Sequence, residues 1–329
     1  MATIYLDEQG SELKKRGEII VVEKEGEVIA ELPLAQVDRI VIIGNVQITT
    51  QALAMMFDKD IPISFITSYG NYRGKLKPPT HKNIVLRLKQ FASYHDNRFR
   101  IEHSKAVMKA KLKNSRTFLQ KHARNKPEID INSEINEIEA LMKRLDGAGS
   151  IDEMMGIEGI SARHYFSAFG RLVKNGFSFQ QRTRRPPKDP VNAMLSLGYT
   201  LLFNEMYSAV EAIGFDPYLG FMHEVDYGRP SLALDMVEEF RYLIDGLTLT
   251  LINKDMLTSE DFTEKDDGGI YMKEKARETF YRQYEKRINT EVTYKDMTLK
   301  YRRVFLHQAE HLARVVMGED SHYQGYEYR

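Results

Sequence analysis

With 329 residues, 42% of them hydrophobic, the chain is long for a single core, so two domains are expected. It contains no cysteine, which excludes disulfides, zinc knuckles and thiol nucleophiles and leaves His, Asp, Glu and water to hold any metal. Lys plus Arg and Asp plus Glu balance at 47 each, and no basic start leads into an apolar run of the roughly 20 residues that a membrane span needs, so a cytoplasmic protein with no membrane partner is expected.

Residues 1–67 read as strands. Ile4–Leu6, Glu18–Glu23, Val28–Leu32, Arg39–Ile43 and Ile61–Ile66 are short β-branched runs bounded by turn residues, with Lys24-Glu25-Gly26 as a hairpin loop. One helix, Thr50 to about Asp58, interrupts them. The segment has no histidine and its polar residues are scattered, so nothing in it reads as catalytic. Glycines from Tyr69 to Gly74 and a Pro-Pro pair at 78–79 then break the pattern. The expected architecture is α+β: a small β-rich domain over 1–76, a linker at 77–80 and a larger, mostly α-helical domain over 81–329.

Beyond the linker the apolar residues recur at helical spacing and the charge becomes uneven. From Asn71 to Lys126 there are sixteen Lys or Arg against two acids, and from Pro127 to Glu153 eight acids against two bases. Such asymmetry fits a polyanion-binding surface in a neutral molecule. It equally fits a basic helix paired with the acidic one that follows. Lys105, Lys109 and Lys113 recur every fourth residue and line one helix face.

Ser150 to Glu153 has the form of a capping box opening a helix just before Glu158. Gly156 and Gly159 flank that glutamate. Glycine costs about 1 kcal/mol inside a helix, so either close packing or a helix break that lifts Glu158 into a cleft is expected. Prolines at 186, 187 and 190 keep Arg182 to Asp189 extended as a basic loop, and Asp189 is placed to cap a helix with Pro190 in its first turn. Gly268-Gly269 marks a turn in a small excursion. A helix near the end carries Arg302, Arg303 and His307 about one polar face, and the tyrosine-rich tail after Gly318 is expected to be mobile.

The stretch from Phe221 to Phe240 holds a metal-site vocabulary. His223 precedes a Gly228-Arg229-Pro230 turn, and the segment beyond it carries Asp235, Glu238 and Glu239. An imidazole with carboxylates suits Mn²⁺ or Mg²⁺ better than a calcium cage, although one His beside acids also describes an ordinary solvated helix end. On a single helix starting near Ser231, Asp235 and Glu239 stack four residues apart beside the apolar arc of Met236, Val237, Phe240, Leu243, Ile244 and Leu247, and Glu238 points farther from it. Periodicity therefore favours Asp235 and Glu239.

His223, the Gly-Arg-Pro-Ser-Leu turn and Leu234-Asp235-Met236-Val237-Glu238 together resemble the signature of the CRISPR-associated spacer-acquisition integrases, the universal "protein one" of those systems. Met155-Gly156-Ile157-Glu158-Gly159 and the run from Arg182 to Asn192 are similar to two further motifs of that family, in the same order. The resemblance covers nearly the whole chain. It implies a metal-dependent endonuclease and integrase that joins the 3′ ends of a captured DNA fragment to a repeat array by two transesterifications. It further implies a homodimer, with the β-rich domain serving dimerisation, around a small CRISPR-associated "protein two".

The family motif makes Glu158, His223 and Glu238 the catalytic residues and the ligands of Mg²⁺ or Mn²⁺, with Asp235 as a possible fourth. DNA is expected to meet Lys105, Lys109, Lys113, Arg182, Arg184, Arg185, Arg302 and Arg303. Read from the residues alone, two other functions stay open: a nucleic-acid-binding scaffold in which the acids are incidental, and a metal-dependent phosphoesterase on small nucleotides.

Overall fold

The computed structural model describes residues 2–68, 72–76 and 83–328, and the chain divides into two compact units, Met1–Thr80 and His81–Arg329. The linker expected at 77–80 lies outside the described residues.

In the first unit the β-branched runs become strands because each can bury alternate or continuous apolar side chains. The strands are β1 (Ala2–Leu6), β2 (Glu12–Arg16), β3 (Ile19–Lys24), β4 (Glu27–Pro33), β5 (Val37–Ile43) and β6 (Gln47–Ile48). Helix α1 (Thr50–Asp58), β7 (Ile63–Ile66) and β8 (Tyr72–Leu76) follow. They form two four-stranded sheets, ordered β4-β3-β2-β6 and β1-β5-β7-β8. Between β3 and β4 the turn is Glu25-Gly26, both at positive φ (51° and 86°), the geometry of a two-residue hairpin.

Strand β5 lies between two parallel neighbours and buries Ile40 to Ile43 without interruption, as a strand covered on both faces does. Ile40, Ile42, Ile63, Leu13, Ile20 and Val22 pack with Ala52, Met55 and Met56 of α1 into one core, each large side chain contributing about 1.5–3 kcal/mol. Strands β2 and β8 carry no such pattern. Sequence Glu-Leu-Lys-Lys-Arg offers only Leu13 to the core, and pairing with β3 makes it a strand.

The second unit is largely helical. Its helices begin with α2 (Ile84–His95), α3 (Asn97–Asn125), α4 (Asn132–Gly147), α5 (Ile151–Leu172) and α6 (Pro190–Ile213). Then come α7 (Ser231–Val237) and α8 (Tyr242–Asn253), the β9/β10 hairpin (Phe262–Glu264, Ile270–Met272), α9 (Glu274–Ile288), the β11/β12 hairpin (Glu291–Tyr294, Met297–Lys300) and α10 (Tyr301–Met317). Helices α3, α4 and α5 pack on one another, and α6 packs against α7, α8 and α10. The polar caps sit where their residues foretell them. Asp96 accepts from the N–H groups of Arg98 and Phe99, Ser150 from Glu153 and Asp189 from Asn192, each worth about 1 kcal/mol.

Three expectations are corrected by the fold. Helix α5 runs unbroken through Gly156 and Gly159, and a Cβ at either glycine would meet nothing within 4 Å, so neither a break nor close packing accounts for them. The helix expected to continue from Ser231 past Leu247 instead stops at Val237, tightens into a 3₁₀ turn over Glu238–Phe240 and resumes at Tyr242. The C-terminal tail is docked. Tyr323 and Tyr326 are buried, the Tyr328 N–H donates to Asn114 Oδ1 (2.7 Å), and Asn114 Nδ2 donates to the Tyr326 carbonyl (2.8 Å). Gly325 is required in this docking, because a Cβ there would lie 2.5 Å from the Cβ of Ala110 on α3.

Candidate active site

Asp235 organises the loop that precedes its own helix. The carboxylate is fully buried: Oδ2 accepts from the N–H groups of Phe221 (2.7 Å) and Met222 (3.0 Å), and Oδ1 from the N–H of His223 (3.0 Å). The His223 ring closes the arrangement with Nδ1 at 2.6 Å from Oδ1. A carboxylate only accepts, so the imidazole carries a proton on Nδ1, and in the neutral ring the lone pair lies on Nε2. Gly220 permits the fold-back, since a Cβ there would come within 2.8 Å of Asp235 Oδ2.

His223 lines a cavity of about 710 Å³ together with Glu158 from α5 and Glu238 from the 3₁₀ turn. Asp235 and Glu239 do not line it. Glu239 faces the other way and accepts from Tyr323 Oη (2.6 Å), the Tyr326 N–H (2.7 Å) and Gln308 Nε2 (2.9 Å), and burial raises its carboxyl to about 7 against those three donors. The tightened turn after Val237 thus separates the three acids: Asp235 holds the histidine loop, Glu239 holds the tail, and Glu238 enters the cavity.

Cations line the same cavity: Lys111, Arg163, Arg182, Arg184, Arg229 and Arg241. The Lys111 ammonium lies 2.5 Å from Glu158 Oε1 and 2.6 Å from Glu238 Oε2, and Arg241 Nε lies 2.8 Å from the same Glu238 oxygen. Burial alone would raise the Glu238 carboxyl, but the charges of Arg241 and then Lys111 outweigh it and hold the group well below the usual carboxylate range. Its Oε2 is close to both cations without an aligned hydrogen bond to either.

In the same cavity Asp245 accepts from the hydroxyls of Tyr165 (2.6 Å) and Tyr199 (2.5 Å), with burial pushing its carboxyl up to about 6 despite both phenols. The Tyr199 ring carries the guanidiniums of Arg241 and Arg182 at 4.7 and 5.4 Å from its centre. Arg182 is fixed further by Asn192 Oδ1 (2.7 Å) and Ser196 Oγ (3.0 Å).

The expected DNA-binding residues scatter more widely. Arg182 and Arg184 line the cavity, and Arg184, Arg185 and Arg303 are exposed. Lys105 donates to the Asp146 carbonyl (3.0 Å), Lys109 pairs with the Asp146 carboxylate (2.7 Å) and Lys113 with Glu327 (2.5 Å), so the basic face of α3 is engaged in part with α4 and with the tail. Arg302 is a correction. Its guanidinium binds Glu205 (2.8–3.2 Å) and Glu285 (2.8 Å) as a half-buried clamp and is committed to the fold.

Sequence reasoning passed over Lys111, Arg229, Arg241 and the Asp245–tyrosine cluster. For Lys111 a signal existed. It falls two residues after Lys109, about 200° round the helix, on the face opposite the Lys105–Lys109–Lys113 row.

Among the described residues no three His, Asp or Glu side chains are gathered into a ready ion cage. An ammonium holds the place between two of them. That it does so speaks for the donor set: two carboxylates already converge on one cation, and an imidazole whose Nδ1 is held by Asp235 lines the same cavity. This chemistry fits Mg²⁺ or Mn²⁺.

The family model for "CRISPR associated protein Cas1" matches residues 4–286. The chain belongs to the Cas1 family. A CRISPR-associated endonuclease Cas1 of Thermodesulfovibrio yellowstonii is 36% identical over 298 residues, covering 89% of this chain and 93% of the relative. A Cas1 endonuclease of Thermus thermophilus is 33% identical over 334 residues, covering 100% and 98%. Among solved structures, a Cas1 protein from Thermotoga maritima aligns with a TM-score of 0.84 at 26% identity over 100% of both chains. A casposase bound to its integration product shares the fold with a TM-score of 0.90 at 23% identity, covering 100% of this chain and 95% of that one. The motif resemblance and the Cas1 family assignment therefore agree. No helix among the described residues is long and apolar enough to cross a membrane.

Proposed function

We propose that this Cas1 is a divalent-metal-dependent DNA integrase and endonuclease that inserts captured DNA fragments into a CRISPR repeat array by attack of a DNA 3′-hydroxyl. The observation that carries the reading is the convergence of Glu158, His223 and Glu238, from three separate segments, on one cavity that arginines also line. Its relatives' designation as Cas1 endonucleases supports the reaction class.

In this reading Glu158, Glu238 and His223 Nε2 hold Mg²⁺ or Mn²⁺, and Asp235 positions the imidazole. The ion supplies Lewis-acid stabilisation of a phosphodiester oxyanion and activation of a hydroxyl nucleophile. Arg182, Arg184, Arg229 and Arg241 offset the charge of a phosphate brought into the cavity. Tyr199 and Asn192 fix the Arg182 guanidinium, which lets it act without reorganising. Arg185, Arg303 and the Lys105–Lys109–Lys113 face meet DNA farther out, at phosphates and without reading sequence. One phosphodiester replaces another, so strand transfer needs no external energy source. The protein works as a homodimer with the small CRISPR-associated protein two, as family membership implies, and the β-rich unit serves dimerisation.

The test is strand transfer into a supercoiled repeat-bearing plasmid in Mn²⁺. Glu158→Ala and His223→Ala should each abolish transfer while most DNA affinity remains. Binding that fell as steeply as activity would assign these residues to the fold or to the DNA interface.

A further inference from the structure

Lys111 is a half-buried residue in the middle of a 29-residue helix, and its stem is directed away from the lysine row that shares its helix. Its ammonium touches two carboxylates that reach it from different elements, Glu158 on α5 and Glu238 on the 3₁₀ turn, at 2.5 and 2.6 Å. Those two oxygens therefore face each other across the width of one cation. Without that cation two carboxylates would confront one another at the edge of a cavity, Glu238 with only Arg241 to offset it. Like charges so placed repel.

A divalent ion binding the same oxygens needs them at about 2.0–2.1 Å for Mg²⁺, so it cannot share the position with an ammonium. We propose that Lys111 is an internal counter-cation, a positioning residue that holds Glu158 and Glu238 at the site while no metal is bound and withdraws when a divalent ion takes its place. This rests on the function proposed above and deepens it, because it adds a competitor to the ligand set. Residue type is part of the inference. Lysine is a compact point charge on a flexible stem and can retract, whereas the planar fork of arginine would bridge both carboxylates and stay. The open helix surface beside Gly156 and Gly159, where a Cβ meets nothing within 4 Å, leaves bare backbone next to Glu158 on the element that receives the ion.

The experiment uses the full chain and three variants, Lys111→Met, Lys111→Arg and the double variant Lys111→Met with Glu158→Gln. Thermal midpoints are read without metal, and Mn²⁺ affinity is read by calorimetry. Lys111→Met should melt several degrees lower without metal and bind Mn²⁺ about tenfold more tightly, a change of 1.4 kcal/mol. Lys111→Arg should keep the metal-free midpoint and bind Mn²⁺ more weakly. The double variant should recover the midpoint, because it removes the repulsion together with the cation; this separates the effect from a general packing defect.

A purely structural lysine would lower both stability and metal affinity on removal, and that result overturns the proposal. So does an Mn²⁺ affinity unchanged in Lys111→Met. A wild-type protein that takes up no Mn²⁺ overturns the proposed function together with the displacement, whereas normal wild-type uptake with no gain in Lys111→Met overturns the displacement alone.

Discussion

Asp235→Asn isolates the contribution of a residue that never reaches the cavity. The wild-type carboxylate takes four donors, three backbone N–H groups at 2.7–3.0 Å and His223 Nδ1 at 2.6 Å. An asparagine of the same shape offers one acceptor oxygen and turns an NH₂ toward the remaining donors, so two charge-assisted hydrogen bonds disappear at a buried site. Each is worth about 1.5–3 kcal/mol, which puts the cost near 3–6 kcal/mol. At about 2–4 °C per kcal/mol for a unit of this size, the midpoint should fall by at least 6 °C.

The second effect is on the imidazole. If the NH₂ faces Nδ1, the ring proton moves to Nε2 and the histidine loses its ligand lone pair; if the oxygen faces Nδ1, the loop N–H groups lose their acceptor. Either way Mn²⁺ affinity should drop about 10–100-fold, the usual cost of removing the group that orients a metal-binding histidine. Calorimetry with Mn²⁺ and thermal melting of the same preparation measure both. An Asn variant with wild-type affinity and midpoint would refute the idea that Asp235 sets the His223 tautomer and the loop.

Glu238→Gln should abolish strand transfer, weaken Mn²⁺ binding and lower the metal-free midpoint, because Lys111 and Arg241 lose their shared counter-charge, whereas Glu239→Gln should lower the midpoint and loosen the tail with Mn²⁺ affinity unchanged; calorimetry and limited proteolysis at the C-terminus read the two outcomes. Exchanging Lys105, Lys109 and Lys113 for Glu should weaken DNA binding and flatten its log–log salt slope by roughly 0.9 for each duplex phosphate that is no longer neutralised. An unchanged slope with a lowered midpoint would assign the three to Asp146 and Glu327 alone.

Where an element is specified by its own residues, it was legible in the sequence. The Asp189 cap with Pro190 behind it, the Glu25-Gly26 hairpin and the buried run of β5 each carry their signal within a few positions. Strand β2 does not, because only Leu13 of its five residues is apolar toward the core and its partners lie elsewhere in the chain. The tail failed for the opposite reason. Its tyrosines and polar residues look solvated in isolation, yet Asn114, Glu239 and Gln308 give its backbone and hydroxyls buried partners.

The site divides along the same line. Its acids and imidazole sit in short motifs and could be named residue by residue, but among Asp235, Glu238 and Glu239 a helical wheel drawn for a straight helix favoured Asp235 and Glu239, against the family motif that points to Glu238. Three residues of 3₁₀ turn change the angle per residue and turn Glu238 into the cavity while Glu239 goes to the tail. The cations are harder still, since a buried carboxylate takes its counter-charge from whatever element packs over it, not from its own. Lys111 stands 47 residues before Glu158 and more than a hundred before Glu238, inside a basic run where any lysine could bind a phosphate. Arg302 shows the converse: an arginine on a polar helix face, read as reaching DNA, is claimed by Glu205 and Glu285 from two other helices. Charge balance in this protein is therefore a tertiary property. The same packing that brings Glu158 and Glu238 together brings Lys111 with them, because two like charges are held close only with a counter-charge between them.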